Sequence, residues 1–520
     1  AVEERPVIKQ LRHASNIRAQ AADRSQNWRL EWTTTSTEAW TNSIPRAETS
    51  VPKCGNLGHT LLSERCPCER FRRRRRTHVK ELTPLMSAET TSPTKNAASA
   101  PTSWAGRLRL IGPGIVLALA SVGASDMITT MNSGAEYGLA LIWVFTVGII
   151  LKFVLSEAVS RLQMSGDRSL ISHLTRFGGR TFPVLFLIAE LLVGLFFGAG
   201  VVAVTTTILQ AIFPVLPFWP TAIVVLLSAA VLVGIGRYGI VEKAMMGFGI
   251  IMFFGILALA ISVFQGQDAQ AVAAATIVPT FPNTSIITVM SLIGGVGGAT
   301  GILAYSFWIR EKSWRSEDWK PVVRLDLFIS YGLVFVFAVA MSAVGAFILY
   351  GQGFTISDND ALFAIADDLV GRIGQTGRLV FLISFLAVVY TSVLGGFSGI
   401  AYVTADCLRV LRRYPHQDEP AHEMSAKSIE FRGVLVYLSI ATLVIMSLGK
   451  PVTLVLVYAA ISAFILPVLA LALLVILNRS SVPAQLRNTK WSNVLLAVCL
   501  ALFGFLAALQ VRESVMGLVG

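Results

Sequence analysis

Charged residues are scarce in this chain. Asp, Glu, Lys and Arg make up 14% of its 520 residues, whereas ordinary soluble domains contain about 25%. Hydrophobic residues reach 54%, and the mean hydropathy is +0.65. This composition excludes a water-soluble globular fold over most of the chain and predicts an integral membrane protein.

Cysteine and catalytic motifs are also lacking. The five cysteines, Cys54, Cys66, Cys68, Cys407 and Cys499, are too few and too scattered for a disulfide framework. No second pair stands at zinc-ribbon spacing from Cys66 and Cys68. The sequence contains no phosphate-binding glycine loop, no HExxH and no triad-like arrangement. We therefore expect neither an enzyme nor a protein with a resident cofactor.

The net charge of +12 is unevenly distributed. Residues 1–103 carry a surplus of +7 and include the run Arg72 to Arg76. They are rich in Arg, Ser, Thr, Pro and Glu without a sustained apolar period, which predicts a disordered basic extension that is solvated or touches anionic lipid. Met86 opens a short polar lead into the first membrane segment, and we hypothesise that the working protein begins there rather than including residues 1–85.

Apolar runs of about 20 residues follow, long enough to cross about 30 Å of hydrocarbon. In lipid every backbone polar group must be satisfied within its own segment, so these runs are predicted to be helices. Residues 104–511 are thus expected to form an all-α transmembrane domain, followed by a short tail at 512–520. The eleven segments are Leu110–Thr130, Glu136–Ser160, Phe182–Phe213, Thr221–Ile235, Ile240–Phe264, Ile286–Ile309, Leu325–Tyr350, Arg378–Arg409, Val434–Leu448, Val452–Leu477 and Trp491–Val511.

Loop charges predict the orientation. Residues 132–137, 214–220 and 265–285 contain no Lys or Arg, and 351–377 contains only Arg372, whereas the alternate connections are basic. Lys and Arg accumulate in short cytoplasmic loops. The N-terminus is therefore expected in the cytoplasm and the C-terminus outside, in a plasma (inner) membrane. Basic residues confined to these loops indicate orientation rather than nucleic-acid binding.

Two segments, the first and the sixth, are interrupted near their middles by small residues. The interruptions are Gly123-Ala124-Ser125-Asp126 in the first and Gly294, Gly295, Gly297, Gly298 and Gly301 around Thr300 in the sixth. Paired breaks in corresponding helices of two five-helix halves are typical of a transporter binding site near the bilayer midplane. The alternative is that these glycines only allow close helix packing.

Asp126 is the strongest candidate ligand, because a carboxylate at the bilayer centre costs about 2.5–3.5 kcal/mol on insertion scales. Hydroxyls of Ser125 and Thr300, and backbone carbonyls near Gly123 and Gly298, complete an all-oxygen set. Such a set suits Mg²⁺, Mn²⁺ or Ca²⁺ rather than a soft metal.

Three further charged residues lie within apolar segments. Lys152 and Glu157 are placed near a cytoplasmic end, which favours snorkelling or a structural pair. Glu190 is either a proton relay or a solvated carboxylate at an interface. Separately, Trp308, Trp314 and Trp319 are interpreted as interfacial anchors.

Over residues 105 to 511 the chain resembles the natural resistance-associated macrophage protein (Nramp) family of divalent-metal transporters. The resemblance rests on Gly112-Pro113-Gly114, the run Gly134-Ala135-Glu136-Tyr137-Gly138, Ala189-Glu190 and Ile293-Gly294. It implies an eleven- or twelve-helix protein with two inverted five-helix repeats that works by alternating access.

The sequence departs from the family pattern at the site. Gly123-Ala124-Ser125-Asp126 replaces the family's Asp-Pro-Gly-Asn, and the Met-Pro-His motif falls on Gly298-Ala299-Thr300. Two further family acids fall on Phe197 and Gly200. The loss of the methionine thioether, which favours soft transition metals, makes the chain comparable to the Nramp-related magnesium transporters.

The leading hypothesis is a secondary transporter of divalent metal cations of the Mn, Mg or Fe class, with the metal as transported substrate. An organic-solute carrier of the same architecture, such as an amino-acid transporter, is the second hypothesis, because half-helix N-termini suit a substrate carboxylate. A non-transporting sensor or scaffold is the third. The sequence predicts no oligomeric state.

Overall fold

In the computed structural model the described residues are 100–166, 168–264, 298–350, 359–413, 424–447 and 464–519, with isolated positions such as Ile293 and Tyr458 between them. Most of these residues are helical, and the described ranges contain no β-strand. They all belong to the second of two units into which the chain divides, Pro93–Gly520. The expected extension at 1–103 falls outside them as far as residue 99.

The helices are short near the N-terminus and long in the centre of the chain. In order they are α1 (Trp104–Leu108), α2 (Pro113–Ser121), α3 (Ala124–Tyr137), α4 (Ile142–Met164), α5 (Leu170–Gly178), α6 (Thr181–Ile212), α7 (Phe218–Gly234), α8 (Tyr238–Phe264), α9 (Ala299–Glu311), α10 (Lys320–Ile348), α11 (Asn359–Arg412), α12 (Ile429–Met446), α13 (Ile465–Ile476) and α14 (Lys490–Val519). The long helix α11 is broken by non-helical backbone at Gly374.

The all-α membrane class predicted from composition is confirmed. Among the described residues, seven helices are long and apolar enough to cross a membrane, and the count is eight if the bent pair α2 and α3 forms one span. α7 and α13 are shorter apolar helices. The expected sixth and tenth segments lie partly outside the described residues, so the count of eleven stays a prediction.

The first two segments end later than the sequence predicted. α3 continues through Glu136 to Tyr137 and ends where Gly138 adopts a φ of 62°, a left-handed conformation that glycine adopts without strain. α4 then begins at Ile142 and runs to Met164. The last helix, α14, extends to Val519, past the expected boundary at 511.

The helices α3 and α10 cross at two glycines. A Cβ atom on Gly134 would overlap the backbone of Ser342, and one on Gly345 would overlap the backbone of Met131. The hydroxyl of Ser342 also donates to the Thr130 carbonyl at 3.2 Å. Close backbone contact through small residues is the usual way in which helices associate in lipid, where no hydrophobic force drives them together.

The interpretation of the three tryptophans as interfacial anchors is wrong. Trp308, Trp314 and Trp319 are all buried. The rings of Trp314 and Trp319 stack with centroids 5.5 Å apart, and the indole of Trp308 donates to the Ser398 hydroxyl at 3.4 Å. They fill the protein interior because indole combines a large apolar surface with a single donor that a neighbouring helix can satisfy.

Candidate functional site

The first membrane span is broken at Val122 and Gly123. The axes of the two helical pieces differ by 56°, and both linking residues have extended backbone, with ψ of 92° at Val122 and −172° at Gly123. The hydroxyl of Ser392 on α11 donates to the Val122 carbonyl at 3.2 Å. The break interrupts the helical hydrogen-bond ladder inside the bundle, where the freed polar groups must find other partners.

Asp126 lies in the first turn after this break. Its side chain is 2% exposed, and Oδ2 accepts a hydrogen bond from the Gly123 amide at 3.0 Å. The carboxylate therefore caps the N-terminus of α3, where the helix dipole favours a negative charge. The predicted ligand and the predicted break thus form one unit, whereas the Ser125 side chain lies outside the described part of the chain.

The second predicted break falls just before α9. Gly298 has an extended conformation, with φ −60° and ψ 143°, and α9 begins at Ala299; residues 294–297 fall outside the described ranges. The first turn of α9 lies against the end of α2, because a Cβ atom on Gly301 would stand 3.0 Å from the Ser121 hydroxyl oxygen. The C-terminal end of α2 and the N-terminal end of α9 are therefore neighbours.

Thr300 and Glu190, predicted for different roles, are brought together. The hydroxyl of Thr300 lies 3.2 and 3.3 Å from the two carboxylate oxygens of Glu190, and Glu190 is fully buried. The reading of Glu190 as a solvated carboxylate is therefore wrong. This contact ties the start of α9 to the first third of α6.

Lys152 is a residue of the site that sequence reasoning placed wrongly. It is 1% exposed and interacts electrostatically with Asp126. The predicted segment Glu136–Ser160 put it near a cytoplasmic end, but in α4 it is the eleventh of 23 residues. A lysine at that depth cannot snorkel, because each helix end is about 15 Å away at 1.5 Å per residue.

Glu157 forms a separate ion-pair cluster nearer the end of α4. Its carboxylate lies 2.6 Å from Arg161 and 2.8 Å from Arg324 of α10. The guanidinium of Arg161 also donates to the Leu486 carbonyl at 3.0 Å and to the Ser492 hydroxyl at 2.8 Å. This cluster connects α4, α10 and the start of α14. It is separate from the electrostatic interaction between Lys152 and Asp126.

Carboxylates alone do not build the candidate site. Among the residues that the structure describes, no group of three His, Cys, Asp or Glu side chains converges on one point. A cation beside Asp126 would therefore draw its other ligands from neutral oxygens such as backbone carbonyls. That chemistry matches the hard, oxygen-binding cations expected from the sequence.

His173 lies outside the membrane-spanning segments, on the short helix α5. Burial and the neighbouring cations Arg168, Arg310 and Arg176 lower the pKa of His173 to about 4. It is neutral at pH 7 and belongs to the basic end of the bundle rather than to the site.

A second polar cluster fixes the other end of α2. The carboxylate of Asp326 on α10 accepts hydrogen bonds from the amides of Gly112 and Gly114, at 3.1 and 2.6 Å, and from the hydroxyl of Tyr305 at 2.8 Å. Asp326 is fully buried. We call these four residues the α2 latch; it lies at the end of the bundle that carries the basic loops.

The Gly-Pro-Gly motif is explained by this latch. A Cβ atom on Gly114 would stand 2.5 Å from the Asp326 carbonyl oxygen, and one on Gly112 would overlap the carboxylate of Glu242. Glu242 in turn pairs with Lys312 at 2.8 Å. The motif was quoted from the sequence only as a resemblance, and its role becomes visible when α10 is placed beside it.

A first span that is broken beside a buried acid, next to the glycine-led start of α9 in an all-helical bundle, is the kind of arrangement found at transporter binding sites. The family "Natural resistance-associated macrophage protein-like" matches residues 114–512. The chain belongs to this Nramp family.

Relatives by sequence and by structure agree with this assignment. The Bacillus subtilis divalent metal cation transporter MntH is 22% identical over 276 residues, which is 50% of this chain and 62% of that protein, so the match spans less than two thirds of the relative. The Erwinia tasmaniensis MntH is 23% identical over 56% of this chain and 70% of its own length.

Among solved structures, the Eremococcus coleocola manganese transporter superposes with a TM-score of 0.66 at 15% identity, over 82% of this chain and 92% of that one. MhsT, solved with L-phenylalanine, gives a TM-score of 0.54 at 13% identity over 77% and 97%. At these identities the likeness concerns the fold.

Proposed function

We propose that this chain carries divalent metal cations of the Mn, Mg or Fe class across its membrane by alternating access. The observation that carries the proposal is the buried carboxylate of Asp126 at the break of the first span. Membership of the Nramp family and the metal transporters among its relatives support it. The membrane is proposed to be the plasma (inner) membrane, with the N-terminus in the cytoplasm.

The proposed ligands are the Asp126 carboxylate, the hydroxyls of Ser125 and Thr300, and backbone oxygens near Gly123 and Gly298. Asp126 provides the negative charge, and the interrupted backbone provides neutral oxygens. Thr300 already engages Glu190, so binding at its hydroxyl is coupled to that carboxylate.

Replacing Asp126 with Ala is expected to abolish Mn²⁺ and Mg²⁺ uptake. The substitution removes the proposed anionic ligand of the metal. It also removes the hydrogen bond from the Gly123 amide to the carboxylate, and a hydrogen bond to a charged group contributes about 1.5–3 kcal/mol. Uptake into proteoliposomes, followed with a quenched fluorescent dye, measures the effect. L-phenylalanine uptake run in parallel tests the organic-solute hypothesis.

Glu430→Gln is the matched control for that experiment, because Glu430 pairs with Arg412 at the exposed end of α12. It should transport like the wild type. Wild-type vesicles that accumulate neither metal faster than empty vesicles would refute the proposal, as would normal uptake by the Asp126→Ala protein.

Glu190 is proposed as a proton relay. Replacing it with Gln keeps an oxygen that accepts from Thr300 but removes the group that exchanges a proton. Metal-dependent acidification of the vesicle lumen, read with a pH-sensitive dye, is therefore expected to fall at least tenfold, while Mn²⁺ binding falls less than threefold. Unchanged acidification in the Gln variant would exclude Glu190 from the proton path.

A further inference from the structure

Lys152 lies in the interior of the bundle at the level of the helix breaks. One turn before it, Gly148 packs against Ile293, the last described residue before the second break; a Cβ on Gly148 would stand 2.7 Å from the Ile293 carbonyl oxygen. One turn after it, the hydroxyls of Ser156 and Tyr331 are 2.7 Å apart. Because residues four apart share a helix face, Lys152 points inward between these two contacts.

Lys152 and Asp126 are both buried, and they interact electrostatically. The next acid along α4, Glu157, is held by Arg161 and Arg324. A buried ammonium needs a counter-charge, and Asp126 serves that purpose across the interface between the first and second spans. The same carboxylate is the proposed metal ligand, so the Lys152 ammonium and the metal ion would compete for it.

A fixed positive charge beside a cation site weakens binding. The repulsion between two cations a few ångströms apart is large at the effective dielectric constant of a protein interior, and it acts twice as strongly on a divalent ion as on a monovalent one. The carboxylate that attracts the metal is also partly neutralised before the metal arrives.

We infer that Lys152 is the residue that sets the affinity and charge preference of the transport site, by holding a tethered cation against the carboxylate that a divalent ion must share. This inference rests on the proposed function, because it gives Asp126 the role of metal ligand. A tethered ammonium that competes with the metal for the carboxylate would favour release of the metal from the site.

Replacing Lys152 with Met, which preserves the length and removes the charge, is the direct test. Mn²⁺ binding to the purified full-length protein, measured by isothermal titration calorimetry, is expected to tighten at least tenfold, the equivalent of about 1.4 kcal/mol. Mg²⁺ binding should tighten as well. Lys152→Arg keeps the positive charge and should bind no more tightly than the wild type.

Two further variants show whether the effect runs through Asp126. In the Asp126→Asn background, Lys152→Met should produce a smaller gain, because the competition for the shared carboxylate is gone and only the direct repulsion between the ammonium and the metal remains. Arg324→Gln removes a positive charge from the Glu157 cluster, away from the site, and should leave Mn²⁺ affinity unchanged. Thermal unfolding in detergent verifies that each variant is folded.

The outcomes separate this inference from the proposed function. A wild type that binds and transports Mn²⁺, with a folded Lys152→Met protein that binds no tighter, overturns the inference alone. A wild type that neither binds nor transports Mn²⁺ or Mg²⁺ refutes the proposed function and the inference with it. If neither protein binds, both fail. If Lys152→Met does not fold, and a second neutral variant, Lys152→Gln, does not fold either, Lys152 is structural and the inference also fails.

Discussion

Replacing Asp326 with Ala is expected to release the N-terminal end of α2 from the bundle. The substitution removes the acceptor of three hydrogen bonds, from Gly112, Gly114 and Tyr305. Hydrogen bonds to a buried charge contribute about 1.5–3 kcal/mol each. The loss of even one such bond should make the amides of residues 112–121 exchange with deuterium at least about tenfold faster, because each 1.4 kcal/mol corresponds to a factor of ten.

Hydrogen–deuterium exchange with mass spectrometry measures this effect peptide by peptide. Peptides from α7 provide the internal reference and should not change. Tyr305→Phe removes one of the three donors and should give a smaller acceleration at the same residues. Metal uptake should fall at least tenfold in Asp326→Ala, because a carrier that cannot close the end bearing the basic loops no longer alternates. Protected α2 amides in the Ala variant would show that the α2 latch does not hold this end closed.

Gly345→Ala is expected to destabilise the protein, although alanine is normally the better helix former. A Cβ at this position would overlap the backbone of Met131 on α3, and backbone cannot move aside as a side chain can. Overpacking in a tight interior costs about 1–3 kcal/mol, which exceeds the gain of about 0.5–1 kcal/mol from replacing glycine in a helix. The apparent Tm in detergent should fall clearly.

Gly332 on the same helix supplies the control. A Cβ at Gly332 would have no heavy atom within 4 Å, so Gly332→Ala should leave the apparent Tm unchanged or raise it. The two substitutions are chemically identical and differ only in what faces them. Equal Tm changes would mean that the crossing of α3 and α10 is not limiting for stability.

The sequence predicted the class of fold because that class depends on backbone chemistry. In a bilayer a single apolar run can satisfy its backbone polar groups only as a helix. The small residues Gly123 and Gly298 mark where α3 and α9 begin. Asp126 could be found for the same reason, since an acid within an apolar run has few roles. The family resemblance was confirmed by the match over residues 114–512.

The sequence could not predict how deep in the membrane a side chain lies or which distant residue it contacts. Lys152 was placed at a membrane edge because the start of its helix was misplaced by six residues, from Ile142 to Glu136. The contact between Thr300 and Glu190 joins residues 110 positions apart, and no local pattern announces it. The three tryptophans were assigned to the membrane interface because the sequence alone does not distinguish an indole that faces lipid headgroups from one that is buried in the protein.

The site itself was predicted as a set of residue types rather than as an arrangement. Asp126, Gly123, Gly298 and Thr300 lie at or beside the two breaks. Ser392, whose hydroxyl holds the Val122 carbonyl, gave no signal at all, because a serine in an apolar segment is common and most bond to their own helix. Assigning it requires the neighbouring helix in place.

The Arg161 cluster has a mechanical consequence. One guanidinium and the Glu157 carboxylate join α4, α10 and the start of α14, so displacing any one of these helices would break ion pairs or hydrogen bonds to the others. The start of α2 is tied to α10 by the amides that bind Asp326, whereas beyond Ser121 the chain is extended for two residues. We therefore expect any movement of α2 relative to α10 to be centred on Val122 and Gly123, where the helical hydrogen-bond ladder is already interrupted.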